Sequence, residues 1–125
     1  MNNLSSKKVL FWIGKIIVVG VFLYFGFESI FNPNMFSGLI PVFVGNILSP
    51  QMVVMLHGGV EVVCGLLILF SLGGVIPVIV LMFSMTAVIV VVGGTIQIRD
   101  IGILGSLFLL LSNYYYNKSE NPKNI

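Results

Sequence analysis

The stretch Gln51–Leu72, QMVVMLHGGVEVVCGLLILFSL, decides the architecture. Pro50 precedes it, and Gly73-Gly74 closes it after 22 residues. That is the length an α-helix needs to cross the hydrocarbon core of a bilayer, roughly 20 residues at 1.5 Å each. Its one acid, Glu61, sits about ten residues in, roughly 15 Å from the start and so near a bilayer centre. His57 is four residues before Glu61 and Cys64 three after, which puts all three on one helical face. Gly58, Gly65 and Ser71 lie on or beside that stripe. The rest of the circumference is apolar, so the polar, small-residue stripe must face protein. A soluble helix shows the reverse balance, one apolar stripe on a polar cylinder.

Three further segments flank this one. The first runs over 9–31 and is broken by Asn32-Pro33, because proline lacks the amide a helix needs and disfavours helix in the residue before it. The third runs over 75–93, with Pro77 tolerated in its first turn. The fourth runs over 100–116, its short apolar part extended by Tyr114, Tyr115 and Tyr116. The fold class expected is therefore all-α: an integral membrane four-helix bundle, antiparallel, forming a single domain over residues 1–125. The connection over 32–50 is uncharged and rich in Phe, Ile, Leu and Val around Pro41. Such a segment lies on the outer surface of the bundle or dips into it as short interfacial helices. The tail, 117–125, is polar and expected to fray.

Composition supports this and excludes other classes. The chain is 58% hydrophobic and 8% charged, against about a quarter charged in soluble domains. A net charge of +2, scattered along the chain, excludes nucleic acid as a partner. Cys64 is the single cysteine and cannot form an internal disulfide. Lys7 and Lys8 ahead of an apolar run resemble the start of a signal peptide. The run is too long for one and lacks a small-residue cleavage site, so an uncleaved first span is expected. Lys7, Lys8, Lys15, Lys118 and Lys123 put both termini on the cytoplasmic side. Trp12 and the tyrosines fall at that interface, and Lys15 is expected to snorkel to its headgroups. Arg99, at the other side, is the exception.

Between Lys15 and Lys118 the formal charges are Glu28, Glu61, Arg99 and Asp100. A carboxylate within a membrane span is costly and is paired, protonated or hydrated. Depth sorts these groups into one candidate intramembrane site in the outer half: Glu28, His57, Glu61, Arg99 and Asp100, with Ser29 beside it and the 32–50 connection as roof. Cys64 and Ser106 are secondary members, Cys64 as a packing residue. Arg99, Gly102, Ser106 and Asn113 share one side of segment four, and small residues permit close helix approach in membranes. The expected packing sets that stripe against segment two, with Gly58, Gly65, Gly102 and Gly105 at the contacts. Segment three offers Ser84 and Thr86 and is expected to be a lipid-facing wall.

Three chemistries compete for such a cluster. His57 can hydrogen-bond a quinone carbonyl while Glu61 relays a proton. Glu61 can instead serve a proton or ion path. A metal would find too few ligands and no signature spacing, so no metal is expected. The alternative is a scaffold in which His57, Glu61 and Arg99 pair to lock helices together, as buried polar groups do at roughly 0.6 to 2 kcal/mol each.

The chain resembles the DoxX family of small four-helix membrane proteins, with its DoxD-like relatives. Tyr24-Phe25-Gly26-Phe27-Glu28 followed by Asn32-Pro33 is similar to the family's aromatic-glycine-x-acid element, and Phe36, Ile40 and Pro41 fit its loop. Gly58-x-x-Glu61-x-x-x-Gly65-Leu66-Leu67 and Arg99-Asp100-Ile101-Gly102-Ile103-Leu104-Gly105 match its second and final motifs. Many members carry a lysine after the first acid, where this chain has Ser29. The resemblance implies a multi-pass protein of a prokaryotic cell membrane. It also implies a redox-associated role, at most as a subunit of a quinone-linked oxidoreductase complex with a partner redox subunit. Quinone is the cofactor it suggests. Small transporter and scaffold are the alternatives, and the glycine-rich faces leave a homo-oligomer open.

Overall fold

A computed structural model describes residues 3–92 and 96–120, with the side chains of residues 6, 8–90 and 100–115 placed. Every regular element among the described residues is helical. Four long helices, α1 (Asn3–Phe31), α4 (Pro50–Leu69), α5 (Ile76–Val92) and α6 (Ile96–Glu120), are joined through two short ones, α2 (Asn34–Ser37) and α3 (Val42–Gly45). Two spans are long and apolar enough to cross a membrane, Lys8–Phe31 and Pro50–Leu69. Ile76–Val90 is as apolar but shorter.

The boundaries follow local chemistry. The α1 helix ends where Pro33 interrupts its amides, and Pro33 and Pro41 each stand at the N-cap of the short helix that follows. Those two short helices stand within the 32–50 connection. At the start of α4, Ser49 caps the first turn, its Oγ accepting from the Met52 amide at 3.3 Å, and Pro50 takes the first helical position. This Ser-Pro pair is a strong start signal, since one satisfies an orphan amide and the other has none to satisfy. The α4–α5 turn needs three left-handed residues: Ser71 at φ 58°, Gly73 at 75° and Gly74 at 59°. Only the two glycines adopt that backbone without strain. The fourth helix departs from expectation at both ends. It starts four residues earlier, and residues 117–120, expected to fray, are helical through Glu120. Residues 121–125 lie outside the described set.

The most extensive contact joins α1 to α4. It runs antiparallel, for Gly26 meets Gly58, Leu23 meets Gly65 and Lys15 meets Ser71. A Cβ on Gly58 would fall 2.6 Å from the Gly26 carbonyl oxygen and 2.6 Å from the Ser29 Cβ. Neither position has room for a side chain, and that absence lets the two backbones touch. The α5 helix then lies between α4 and α6, while α6 returns to α1 by a thinner contact.

This order corrects the expected packing of segment four on segment two. The α4 stripe faces α1, and a Cβ built on Gly102 or Gly105 meets nothing within 4 Å. The physical reason is connectivity. The short 70–75 turn docks α5 beside α4, and the glycine pair docks α1 on its other side. Both flanks of α4 are thereby occupied, and α6 packs on α5 and α1 instead. The third segment is consequently no mere outer wall: Pro77, Val78, Leu81 and Met85 are buried.

The core is one cluster drawn from all four long helices: Val19 and Phe22, Cys64 and Ile68, Val78, Leu81 and Met85, Leu107 and Leu110. Around it the outward surface is apolar. Leu10, Phe31, Phe83, Leu109 and Val90 are all more than 70% exposed. The apolar windows of the two spanning-length helices are only 22% and 33% buried, whereas the core helix of a water-soluble domain is mostly buried.

Candidate functional site

Above the packed core, at the end opposite the α4–α5 turn, the four long helices separate and enclose a cavity of about 330 Å³. Its walls are Val21, Phe22 and Phe25 of α1, Val53 and Val54 of α4, Met85, Ala87 and Val88 of α5, and Ile103 of α6. Phe36, Leu39, Ile40, Pro41 and Val44 cover it from the 32–50 connection. It reaches the surface beside Leu39 and Ala87, both exposed. The lining is apolar except for five side chains: Ser29, His57, Glu61, Ser84 and Asp100. Sites for small molecules have this form, a mostly apolar cavity of 300 Å³ or more with a few placed polar groups.

Three of these polar groups, Ser84, His57 and Glu61, stand in a row. His57 Nδ1 lies 3.0 Å from Ser84 Oγ on α5, and its Nε2 lies 3.4 Å from Glu61 Oε1 one helical turn along α4. Glu61 is 5% exposed and Asp100 1%, so both carboxyl groups are withdrawn from solvent, and Ser29, against Gly58, is also buried. His57 is more open, its side chain 29% exposed. Helical spacing places His57 and Glu61 on one face. The Gly26–Gly58 contact then sets how closely that face is held to α1 and Ser29.

Three of the five expected site residues, His57, Glu61 and Asp100, therefore line one cavity. Glu28 does not. It lies half-buried on the adjacent face of α1, where its Oε2 accepts from Asn32 Nδ2 at 3.1 Å. Consecutive helix residues point about 100° apart, so Ser29 and Glu28 cannot both face inward. The side chain of Arg99 lies outside the described residues. Cys64 is packed in the core, and Ser106 donates to the Gly102 carbonyl at 3.0 Å, on its own helix. Among the described residues no three His, Cys, Asp or Glu side chains group as metal ligands.

Two residues have roles that the sequence reading did not assign. Ser84 is the α5 partner of His57. Its signal was present, because Pro77, Leu81, Ser84 and Val88 recur at helical spacing on the inward side. Lys15 is the other. It does not snorkel outward. It is 6% exposed, donates to Ser71 Oγ at 2.8 Å, and lies 4.3 Å from the centre of the Trp12 ring. The left-handed turn brings Ser71 within reach of the ammonium, and the indole face covers it. Comparison of the chain with protein-family models, with curated proteins and with solved structures returns no match in any of the three.

Proposed function

We propose that the chain is a DoxX-like integral membrane protein of a prokaryotic cell membrane. Its four long helices all span the bilayer, and both termini are cytoplasmic. It holds a quinone or another lipid-soluble small molecule in the cavity, as the membrane subunit of a redox complex. Membrane insertion is supported by the apolar outer surface and by the two helices of spanning length. The orientation follows from the lysines of the terminal segments, since Lys15, the α4–α5 turn and Tyr114 gather at one end.

The observation that carries the functional reading is the Ser84–His57–Glu61 row at the edge of an otherwise apolar cavity. An apolar ring compound gains from burial there, at roughly 25 cal/mol per Å², and its oxygen meets the polar row. The row joins a hydroxyl, an imidazole and a carboxylate, the parts that pass a proton between a bound ring and a buried acid. Glu61, about 15 Å along α4, costs about 3 kcal/mol as a carboxylate at a bilayer centre. A proton-handling role gives a reason for it.

The test is equilibrium binding of a decyl-substituted benzoquinone and its reduced form to the protein in lipid nanodiscs, against empty discs of the same lipid. Saturable binding of either form that is weakened in Glu61→Gln supports the reading. Partitioning indistinguishable from empty discs sinks it.

A further inference from the structure

We propose that the cavity opens sideways into the bilayer, between α5 and the 32–50 connection, and that its ligand is a tailed ring lipid. The ring is held inside, and the alkyl or isoprenoid tail leaves past Ala87 into the surrounding lipid. This rests on the reading that the cavity holds a lipid-soluble compound, and adds the class of that compound and its way in.

Of the residues that line the cavity, Leu39 and Ala87 are the two that are exposed. They stand on opposite rims of the opening, one on the connection and one on α5. The gap between them follows from how the connection is held. The α2 helix packs on α4, and Gln51 Nε2 at the start of α4 donates to Asn34 Oδ1 at 3.4 Å. Among the described residues neither α2 nor α3 has a comparable contact with α5. Ala87 precedes the end of α5 at Val92 by five residues, about 7.5 Å of helix. Phe83, four residues before it, and Val90, three after, share its side of the helix and are strongly exposed. An opening on that apolar face and at that depth meets acyl chains, not water, when α5 spans the bilayer.

Volume then sets what stays inside. A cavity of about 150 Å³ holds one benzene, so by the same ratio about 330 Å³ holds a substituted ring of about 13 non-hydrogen atoms. A ring with a decyl chain exceeds that. Ser84 lies about 4.5 Å deeper along α5 than Ala87. A ring whose oxygen meets the Ser84–His57–Glu61 row therefore brings its far edge to the opening. Lipid is as apolar as the cavity wall, so a tail left outside loses nothing, whereas a tail forced inside overpacks the site.

The experiment compares tetramethylbenzoquinone, which fits the volume whole, with decyltrimethylbenzoquinone, which does not. Each is titrated into the protein in nanodiscs and into empty discs, and affinity is expressed per mole fraction of probe in the bilayer. The decyl compound is expected to bind at least as tightly as the tetramethyl one. Ala87→Trp, which narrows the opening, should weaken the decyl compound about tenfold and leave the tetramethyl compound unchanged, which also reports an intact cavity. Thr86→Trp, beside the opening and outside the lining, should change neither. Should Ala87→Trp not give folded protein, Leu39→Trp narrows the opening from its other rim. Saturable binding of the tetramethyl compound alone means a closed cavity; it overturns the proposal and leaves the cavity reading standing. An Ala87→Trp variant that weakens both probes alike or neither, or an equal effect of Thr86→Trp, overturns the exit at Ala87. Absence of binding by either probe above empty discs overturns the cavity reading and the proposal together.

Discussion

The two ends of this helix packing are built on opposite terms. At the turn end, Val19, Phe22, Cys64, Ile68, Leu81 and Leu107 close into a dry cluster with contributions from every long helix. At the other end the same four helices leave about 330 Å³ unfilled and line it with five polar side chains. The helices themselves do not differ in kind from one end to the other. What changes is side-chain size and the connection above. Leu81 and Leu107 are 0% exposed and fill the space between α5 and α6. One to two turns away their places are taken by Ser84, Ala87 and Asp100, while α2 and α3 cap the gap instead of filling it. On the proposed reading, stability resides in the first region and ligand binding in the second, and the comparison makes that separation testable.

The largest effect is expected where the regions meet. Gly58→Leu places atoms where a Cβ alone would lie 2.6 Å from the Gly26 backbone. Because backbone cannot yield as a side-chain tip can, the variant should not give folded protein, read as loss of a monodisperse peak in detergent. Recovery at normal yield and melting temperature would show that α1 and α4 need not touch.

Truncation should then separate the two ends. Leu107→Ala, in the packed cluster, should cost about 2–5 kcal/mol, read as a lowered thermal midpoint in detergent. Ile103→Ala, one turn away on the cavity wall, should cost about 1 kcal/mol or less, because it enlarges a space already present. Equal costs would mean that the cavity is filled and load-sharing in the folded protein.

Glu61→Gln is expected to change binding more than folding. The amide keeps the shape of the acid and removes the ionisable group beside His57. Ligand affinity should fall about tenfold, while stability shifts by about 1 kcal/mol or less. Loss of folded protein with this variant would favour the scaffold alternative, in which the polar row holds helices together.

The smallest effect belongs to the turn. Ser71→Gly relieves a left-handed residue worth roughly 1–2 kcal/mol and removes the acceptor of the buried Lys15 ammonium. The two nearly cancel, and the melting temperature should move by no more than a few degrees. Lys15→Met, which keeps the stem and discards the charge, isolates the second term and should destabilise by about 1 kcal/mol.

Much of this architecture was legible in one dimension. Apolar runs of spanning length, stopped at Asn32-Pro33, Pro50 and Gly73-Gly74, set the helices, since a missing amide or a left-handed glycine acts locally. The 3.6-residue period placed His57, Glu61, Cys64 and Gly65 on one face, and Glu61, Cys64 and Gly65 are buried there. Partner faces could not be read the same way. Periodicity says which residues share a side of a helix, not which helix covers it. That depends on which neighbours a short turn and a glycine pair set on the flanks of α4. Hence Ser84 joins the polar row although its segment reads as a wall, Glu28 turns aside although it is a residue away from Ser29, and Lys15 points inward although lysines near a helix end ordinarily reach for water. Each is a side chain whose direction is decided by a neighbour distant in the chain, through contacts that exist only once the helices are assembled.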